Sequence, residues 1–301
     1  MMNAREIVKS FSDPAAHGVR PLPTVDASDA RRLRDAIEPI AMHSVWSTGT
    51  TDRLAEYGLD FMSSYVLSRA FLLGVPEPGV VSAAFGVFQP DLVHAVYEQH
   101  RDLVDRDELL EARLEATAAS LRSTLDEADV AEVADTLRLS ASVPSGAGKP
   151  LFSGLAGQPW PVDPFAMLWR ACEQLREHRG DCHIAVCVAH GLDPVEMNAL
   201  TELWLGMPLG SYTATRGWSE EDVAAAVGRL SERGLMVGGR LSESGERERA
   251  RIEDATDALQ QPIVDALRHD FGEVVDRLDD WAALCVEAEA FPDNPYKRAA
   301  G

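Results

Sequence analysis

Five short stretches from the first half of this chain return, in the same order, in the second. Tyr57-Gly-Leu-Asp60 is matched by His190-Gly-Leu-Asp193, and Leu73-Gly74-Val75-Pro76 by Leu205-Gly206-Met207-Pro208. Phe85 to Val93 lies opposite Thr215 to Val223, each opening an amphipathic segment after an aromatic residue. Arg113 to Leu121 faces Arg251 to Leu259, and Glu132 to Leu137 faces Glu273 to Leu278. The spacing between partners drifts along the chain, as it does when insertions are confined to loops. Chance alignment of helical sequence with similar composition would have to produce all five matches in order. A duplication of this kind calls for two copies of one unit, with the copies packing on each other.

Within each copy the apolar spacing is helical almost throughout. Residues 1–27, with Pro14, Gly18, Pro21 and Pro23, read as an N-terminal arm, and Ser28-Asp29 supplies an N-cap for the first amphipathic helix. The first repeat is expected over 28–142, with helices near 50–57, 62–73, 78–87, 91–103, 106–125 and 128–141. Residues 143–163 hold Pro144, Pro150, Pro159 and Pro161 with Gly146, Gly148, Gly154 and Gly157, which is linker chemistry. The second repeat is expected over 164–301, with helices near 164–190, 193–205, 219–233, 243–270 and 272–290. Leu235-Met236-Val237, turned by Gly238-Gly239 into Arg240-Leu241, is the one clear strand signal. The expected fold class is all-α: tandem duplicated winged-helix-like repeats forming a pseudo-dimer, with a short β-hairpin wing.

Two sets of residues carry a resemblance. Arg233-Gly-Leu, the short hairpin and then Leu241-Ser-Glu-Ser-Gly-Glu246 before a long helix resemble the wing region of MarR-type regulators, over about 180–260. Arg176-Glu-His-Arg-Gly-Asp-Cys-His183 with Ala214-Thr-Arg-Gly-Trp218, and Glu38-Pro39 and Ser68-Arg69-Ala70 upstream, resemble an actinobacterial family of about this length that carries a helix-turn-helix label. That resemblance spans most of the chain and implies a helix-turn-helix fold. Cys182 stands where the family pattern has Gly.

A helix-turn-helix fold raises the question of DNA. Lys and Arg total 28 against 49 Asp and Glu, a formal charge of -21, which repels phosphate backbones and anionic lipid. The segment in the place of a recognition helix, 218–233, carries Glu220, Glu221, Asp222 and Glu232 against Arg229 and Arg233, and its opening turn is all acid. DNA is therefore a disfavoured partner, with one cationic edge, Arg247, Arg249 and Arg251, keeping the regulator reading open. There is no apolar run long enough for a membrane span, no CxxC pair among the four cysteines and no apolar signal core, so the cytoplasm is the expected location. The chain is also compatible with a homo- or hetero-dimer.

Chemistry concentrates in 176–183. Phe165, Leu168, Trp169, Cys172, Val186, Cys187 and His190 form one apolar stripe, and its middle positions are Arg176, Arg179, Gly180 and His183. Two guanidiniums and an imidazole on a buried face need carboxylates, a ligand or water. Glu177 and Asp181 lie on the neighbouring face. Glu38, beside the helix-interrupting Pro39, and His43 fall opposite this segment in the first copy, so Glu38 is the natural partner for Arg176 or Arg179. Three readings stand: a structural ion-pair network, an anion-recognising pocket with acid/base capability, and a metal site from His178, Asp181, Cys182 and His183. Histidines five residues apart diverge by ~140° on a helix, a poor spacing for one ion.

His183, Asp181, Glu38 and Glu177 are the candidate catalytic groups. Arg176, Arg179, His178, His43, Arg69, Arg216 and Trp218 are the candidate substrate-binding groups, with no metal and no cofactor. The chain lacks GxGxxG, GxxxxGK[ST] and GxSxG. The expected function is a small-molecule-binding protein, a cofactor-independent lyase- or cyclase-type enzyme of specialised metabolism that uses acid/base chemistry on an anionic substrate, by elimination or displacement. The alternative is a MarR-like ligand-responsive transcriptional regulator.

Overall fold

A computed structural model describes residues 27–300, so most of the expected arm, residues 1–26, lies outside the described residues. The first helix, α1 (Asp29–Ala41), starts where Ser28 Oγ accepts from Arg31 N. Pro39 lies inside it, and the chain breaks at Met42 before α2 (His43–Trp46) and α3 (Thr48–Ala55). Then come α4 (Phe61–Ala70), opened by the Asp60–Ser63 capping box, α5 (Pro78–Phe85), α6 (Pro90–His100), α7 (Arg106–Thr124) and α8 (Val130–Ala141).

The second half runs α9 (Pro150–Ala156), α10 (Pro164–Ala189), α11 (Pro194–Leu205), α12 (Ser211–Ala214) and α13 (Glu220–Glu232). A two-stranded antiparallel hairpin follows, β1 (Met236–Val237) with β2 (Arg240–Leu241), pairing Met236 with Leu241 and Val237 with Arg240. The chain ends in α14 (Glu243–Ala258), α15 (Gln261–Leu267), α16 (Phe271–Glu287) and α17 (Pro295–Ala300). The fold is all-α with a short β-hairpin wing.

Three features differ from the sequence expectation. The Pro/Gly-rich segment 143–163 contains α9, because Pro150 suits a first helical turn and Leu151, Phe152 and Leu155 give it a buried face. The helix expected over 243–270 is interrupted at Leu259–Gln260 and ends at Arg268, whose φ is 42°. The wing is confined to the second half among the described residues. Where β1 and β2 follow α13, the first half has only the turn 101–105 after α6, too short for a hairpin and without a glycine pair.

Apolar residues gather in one central core and smaller ones beside it. The central core takes α1, α8, the first half of α10, α15 and α16, so both halves of the chain build it. One satellite core belongs to the first half, spanning Leu54 to Leu109, and another to the second, spanning Val186 to Ile252. The second half of α10 runs from the central core toward the space between the satellites.

Candidate functional site

Helix α10 opens with Asp163 accepting from Ala166 N and continues for 26 residues. Its middle turns carry the polar interruption of the apolar stripe to the junction of the three cores, where ion pairs knit the halves together. Arg176 Nε donates to Glu38 Oε2 at 2.9 Å, and its Nη1 to Glu177 Oε1 at 3.2 Å. Arg69, on α4, grips Glu177 with Nε at 3.1 Å and Nη2 at 2.7 Å. Arg179 reaches α14, donating to Asp257 at 2.6 Å and to Glu253. Glu253 also accepts from Arg31 at 3.0 Å and from Arg249 at 2.7 Å.

Above this network opens a cleft enclosing about 1010 Å³, including the solvent at its mouth. Residues of both halves wall it: Tyr65, Phe85 and Phe88 from the first, Met197, Asn198 and Tyr212 from the second. Its lining holds seven arginines, Arg31, Arg34, Arg69, Arg176, Arg179, Arg216 and Arg249, against three carboxylates, Glu177, Asp181 and Glu253. In a chain of net charge -21 this is a local inversion of sign. Gly180 leaves open space at the same level, with nothing within 4 Å of a built Cβ.

Arg216 has no carboxylate partner among the described residues, and its Nε is buried without a hydrogen bond. Its guanidinium stacks 3.6 Å over the Tyr212 ring and lies 5.4 Å from that of Phe88. Such stacking holds the charge in place and leaves donor edges open to an anion. Arg249 is 4% exposed, lies 4.1 Å over Trp204 and also has an unpartnered buried Nε.

The titratable groups divide by surroundings. Burial pushes the Asp181 carboxyl up to about 7, although it accepts from Phe152 N at 3.0 Å. Burial works against charge on Glu38 as well, but Arg176, Arg34 and Lys297 overcome it and hold the group down at about 2. His183 is driven down to about 3 by burial and by Arg249. Its Nδ1 lies 3.2 Å from Thr256 Oγ1, and its Nε2 lies 3.5 Å from Cys187 Sγ. The His183 imidazole is therefore neutral at pH 7, and Asp181 is the cleft group brought near that pH.

Of the residues singled out by sequence, Arg69, Arg176, Glu177, Arg179, Asp181, His183 and Arg216 line the cleft. Glu38 is fully buried behind Arg176 and does not line it. His43 is remote, buried and hydrogen-bonded with Ser120 Oγ at 2.8 Å. His178 packs edge-on against Phe152 and hydrogen-bonds with Gln260 Oε1 at 2.7 Å, facing α9 and the break between α14 and α15 instead of the cleft. Trp218 serves as a joint, donating from Nε1 to Val87 O at 2.9 Å. Among the described residues no group of three His, Cys, Asp or Glu side chains is arranged to hold a metal.

Sequence reasoning missed Arg31, Arg34 and Lys297, and placed Arg249 on an outer cationic edge. The edge is corrected: Arg249 points inward, Arg247 pairs with Glu243 at 2.7 Å and Arg251 with Glu248 at 3.5 Å. One local signal was present for Arg34, which precedes Glu38 by one helical turn on α1.

The hairpin after α13 and the short helices before it have the layout of a winged helix. Residues 30–292 match a family described as a helix-turn-helix family. The chain belongs to that family. Comparison with curated proteins and with solved structures returns no match. In this helix-turn-helix family member the cations of α13 are engaged within the protein. Arg229 pairs with Asp193 and, at 3.2 Å, Glu196, while Arg233 pairs with Glu196 at 3.4 Å and donates to the carbonyls of His190 and Gly191. No helix among the described residues is long and apolar enough to cross a membrane.

Proposed function

We propose that the protein binds a small anionic molecule in the arginine-lined cleft and acts on it by cofactor-independent acid/base chemistry, with Asp181 moving the proton. The observation that carries this reading is the lining itself, seven arginines against three carboxylates in a strongly acidic chain. Arg216, whose Nη1 donates to Thr215 Oγ1 but whose Nε has no partner and which has no carboxylate partner among the described residues, would take the anionic group. Asp181 at about 7 is matched to proton transfer at neutral pH, protonated to assist a leaving group and ionised to accept a proton.

Family membership favours a second reading, a ligand-responsive transcriptional regulator. Two observations weigh against it. The cations of α13 are tied to Asp193 and Glu196. In addition, the chain segments leading into α6 and α13 are joined to each other: Gln89 N donates to Arg216 O at 2.9 Å, and both Trp218 and Asn198 donate to Val87 O at 2.9 Å. Helix-turn-helix pairs reading duplex DNA place their recognition helices about 34 Å apart, one turn of the groove. Helices tied together at their N-termini do not meet that spacing.

Isothermal titration of wild type and Arg216→Met with sulfate, phosphate and a set of carboxylates, beside a salt titration with duplex DNA, tests the proposal. Anion binding that Arg216→Met abolishes, with no salt-sensitive DNA binding, is the expected result. Tight DNA binding without anion binding would give the regulator reading first place.

A further inference from the structure

Adjoining the outer cleft is a second, smaller hollow, here called the inner chamber, of about 450 Å³ including the solvent at its mouth; Tyr65, Phe88, Arg176 and Arg216 line both spaces. Its remaining lining includes Trp46, Phe61, Met62 and Lys297 of α17. Trp46 and Phe61 stand with ring centroids 5.3 Å apart. The cations in the lining are Arg176, Arg216 and Lys297, and the lining includes no carboxylate among the described residues. Two buried donors in it, Trp46 Nε1 and Arg216 Nε, have no hydrogen-bond partner among the described residues.

We propose that this inner chamber recognises an aromatic carboxylate, its ring held among Trp46, Phe61, Met62 and Phe88 and its carboxylate between Arg216 and Lys297. The inference deepens the function proposed above and rests on it, since the rest of such a ligand would extend past Arg216 toward Asp181. Flat apolar walls favour a ring, which gains both burial and edge or face contact with the aromatics. A planar monoanion with two oxygens suits two unpartnered donors and one ammonium. A phosphate dianion would bring a larger desolvation cost into a chamber whose walls are mostly apolar.

Lys297 gives the proposal a signature. Its Nζ lies 3.7 Å from Glu38 Oε1. Burial, then Arg176, Arg216 and Arg34, depress its ammonium to about 7 against the pull of Glu38. A carboxylate arriving beside it restores the charge, so binding at pH 8 takes up a proton from the buffer.

The test is isothermal titration of the full chain at pH 8, in two buffers of different ionisation enthalpy, with benzoate, indole-3-acetate, the neutral isostere benzamide, phosphate and sulfate. The aryl carboxylates are expected to bind at least tenfold more tightly than benzamide or the inorganic anions, with proton uptake. Lys297→Met keeps the apolar stem and leaves Glu38 facing Arg176 and Arg34. It should lower the ratio of indole-3-acetate to sulfate affinity more than tenfold and remove the proton uptake. Met62→Phe, which narrows the chamber without touching a charge, should lower the same ratio and covers the case in which Lys297→Met fails to fold. Benzamide binding as tightly as benzoate, phosphate binding more tightly than either acid, or an unchanged ratio in the variants overturns the inner-chamber proposal while leaving anion binding by the outer cleft in place. Failure of every anion to bind overturns both.

Discussion

Arg179 holds Asp257 and Glu253 on α14, whereas Arg216 rests on the Tyr212 ring with no carboxylate to hold among the described residues. Replacing each by methionine should therefore separate structure from recognition. Arg179→Met leaves Asp257 without its cation and should cost about 2 kcal/mol, below the range for a fully buried pair because the site is partly open to water. Arg216→Met orphans no carboxylate and should stay within about 1 kcal/mol of wild type, a lost cation–π contact, while abolishing anion binding. Thermal melts and titrations on both variants check this pair of outcomes, and a stability loss confined to Arg216→Met would reverse the assignment. Asp181 adds a pH dependence. Its unfolded value is the ordinary 3.8 and its folded value about 7, so the folded state holds the extra proton across that window. Stability from this group is greatest below pH 3.8 and declines as pH rises toward 7. Asp181→Asn should thus be more stable than wild type at pH 8 by about 2 kcal/mol, roughly half the ceiling set by ~1.4 kcal/mol per unit, and should lose that advantage at pH 4. Arg176, Arg179 and His183 were legible in the sequence because a helix of 26 residues keeps its period and polar groups on an apolar stripe stand out, and Asp181 because it lies on the face beside them. Arg31 and Lys297 were not, since only tertiary packing brings α1 to the cleft and Lys297 of α17 to the chamber beside it.

The helices themselves were largely readable, because their caps and apolar spacing agree. Helix α9 was not, since Pro150 and Gly154 look like linker residues until Leu151, Phe152 and Leu155 find α10. Gly154 is needed there, for a Cβ would stand 2.4 Å from Leu72 O. The joint between α6 and α13 depends on a second glycine. Gly217 adopts φ 87°, and a Cβ would meet Leu92 Cδ2 at 2.6 Å and Gln89 Cβ at 3.3 Å. Gly217→Ala should cost about 2–3 kcal/mol through backbone strain and this close approach. The Gln89 amide, which donates to Arg216 O, should exchange its hydrogen faster if the N-terminal ends of the two helices separate. An unchanged Gln89 exchange rate together with an unchanged melt would mean that the joint does not hold the satellites together. Loss of anion binding in the same variant would tie the joint to the cleft, because Val87, Arg216 and Asn198 belong to both.

At the scale of the whole chain, we propose that the two halves are copies of one unit that has become a single body. The sequence matches fall in the same order in both halves, while the elements differ in three places: the first half opens with α1, α2 and α3 where the second has the single α10, α15 has no first-half counterpart, and the wing after α13 is replaced by a five-residue turn after α6. A lone repeat would expose the face that its partner covers: α1 packs on α10 and α16, and α8 packs on α10 and α15, so the central core crosses from half to half. Only the satellite cores are local, and each is small. The cleft inherits this arrangement, since neither half alone supplies both Arg69 and Arg216, or both Glu38 and Arg176. It follows that the segment 27–149 expressed alone should show no cooperative melt and should bind a hydrophobic dye, with helix content reduced below that of the same residues in the full chain. Adding the separately produced remainder should restore a single cooperative transition, because the missing half of the central core is then supplied in trans. Circular dichroism and calorimetry on the fragments and their mixture measure this directly. A fragment 27–149 that melts cooperatively by itself, at a temperature near that of the intact chain, would show that the satellite core carries the stability and that the shared core is a docking surface between two independent domains.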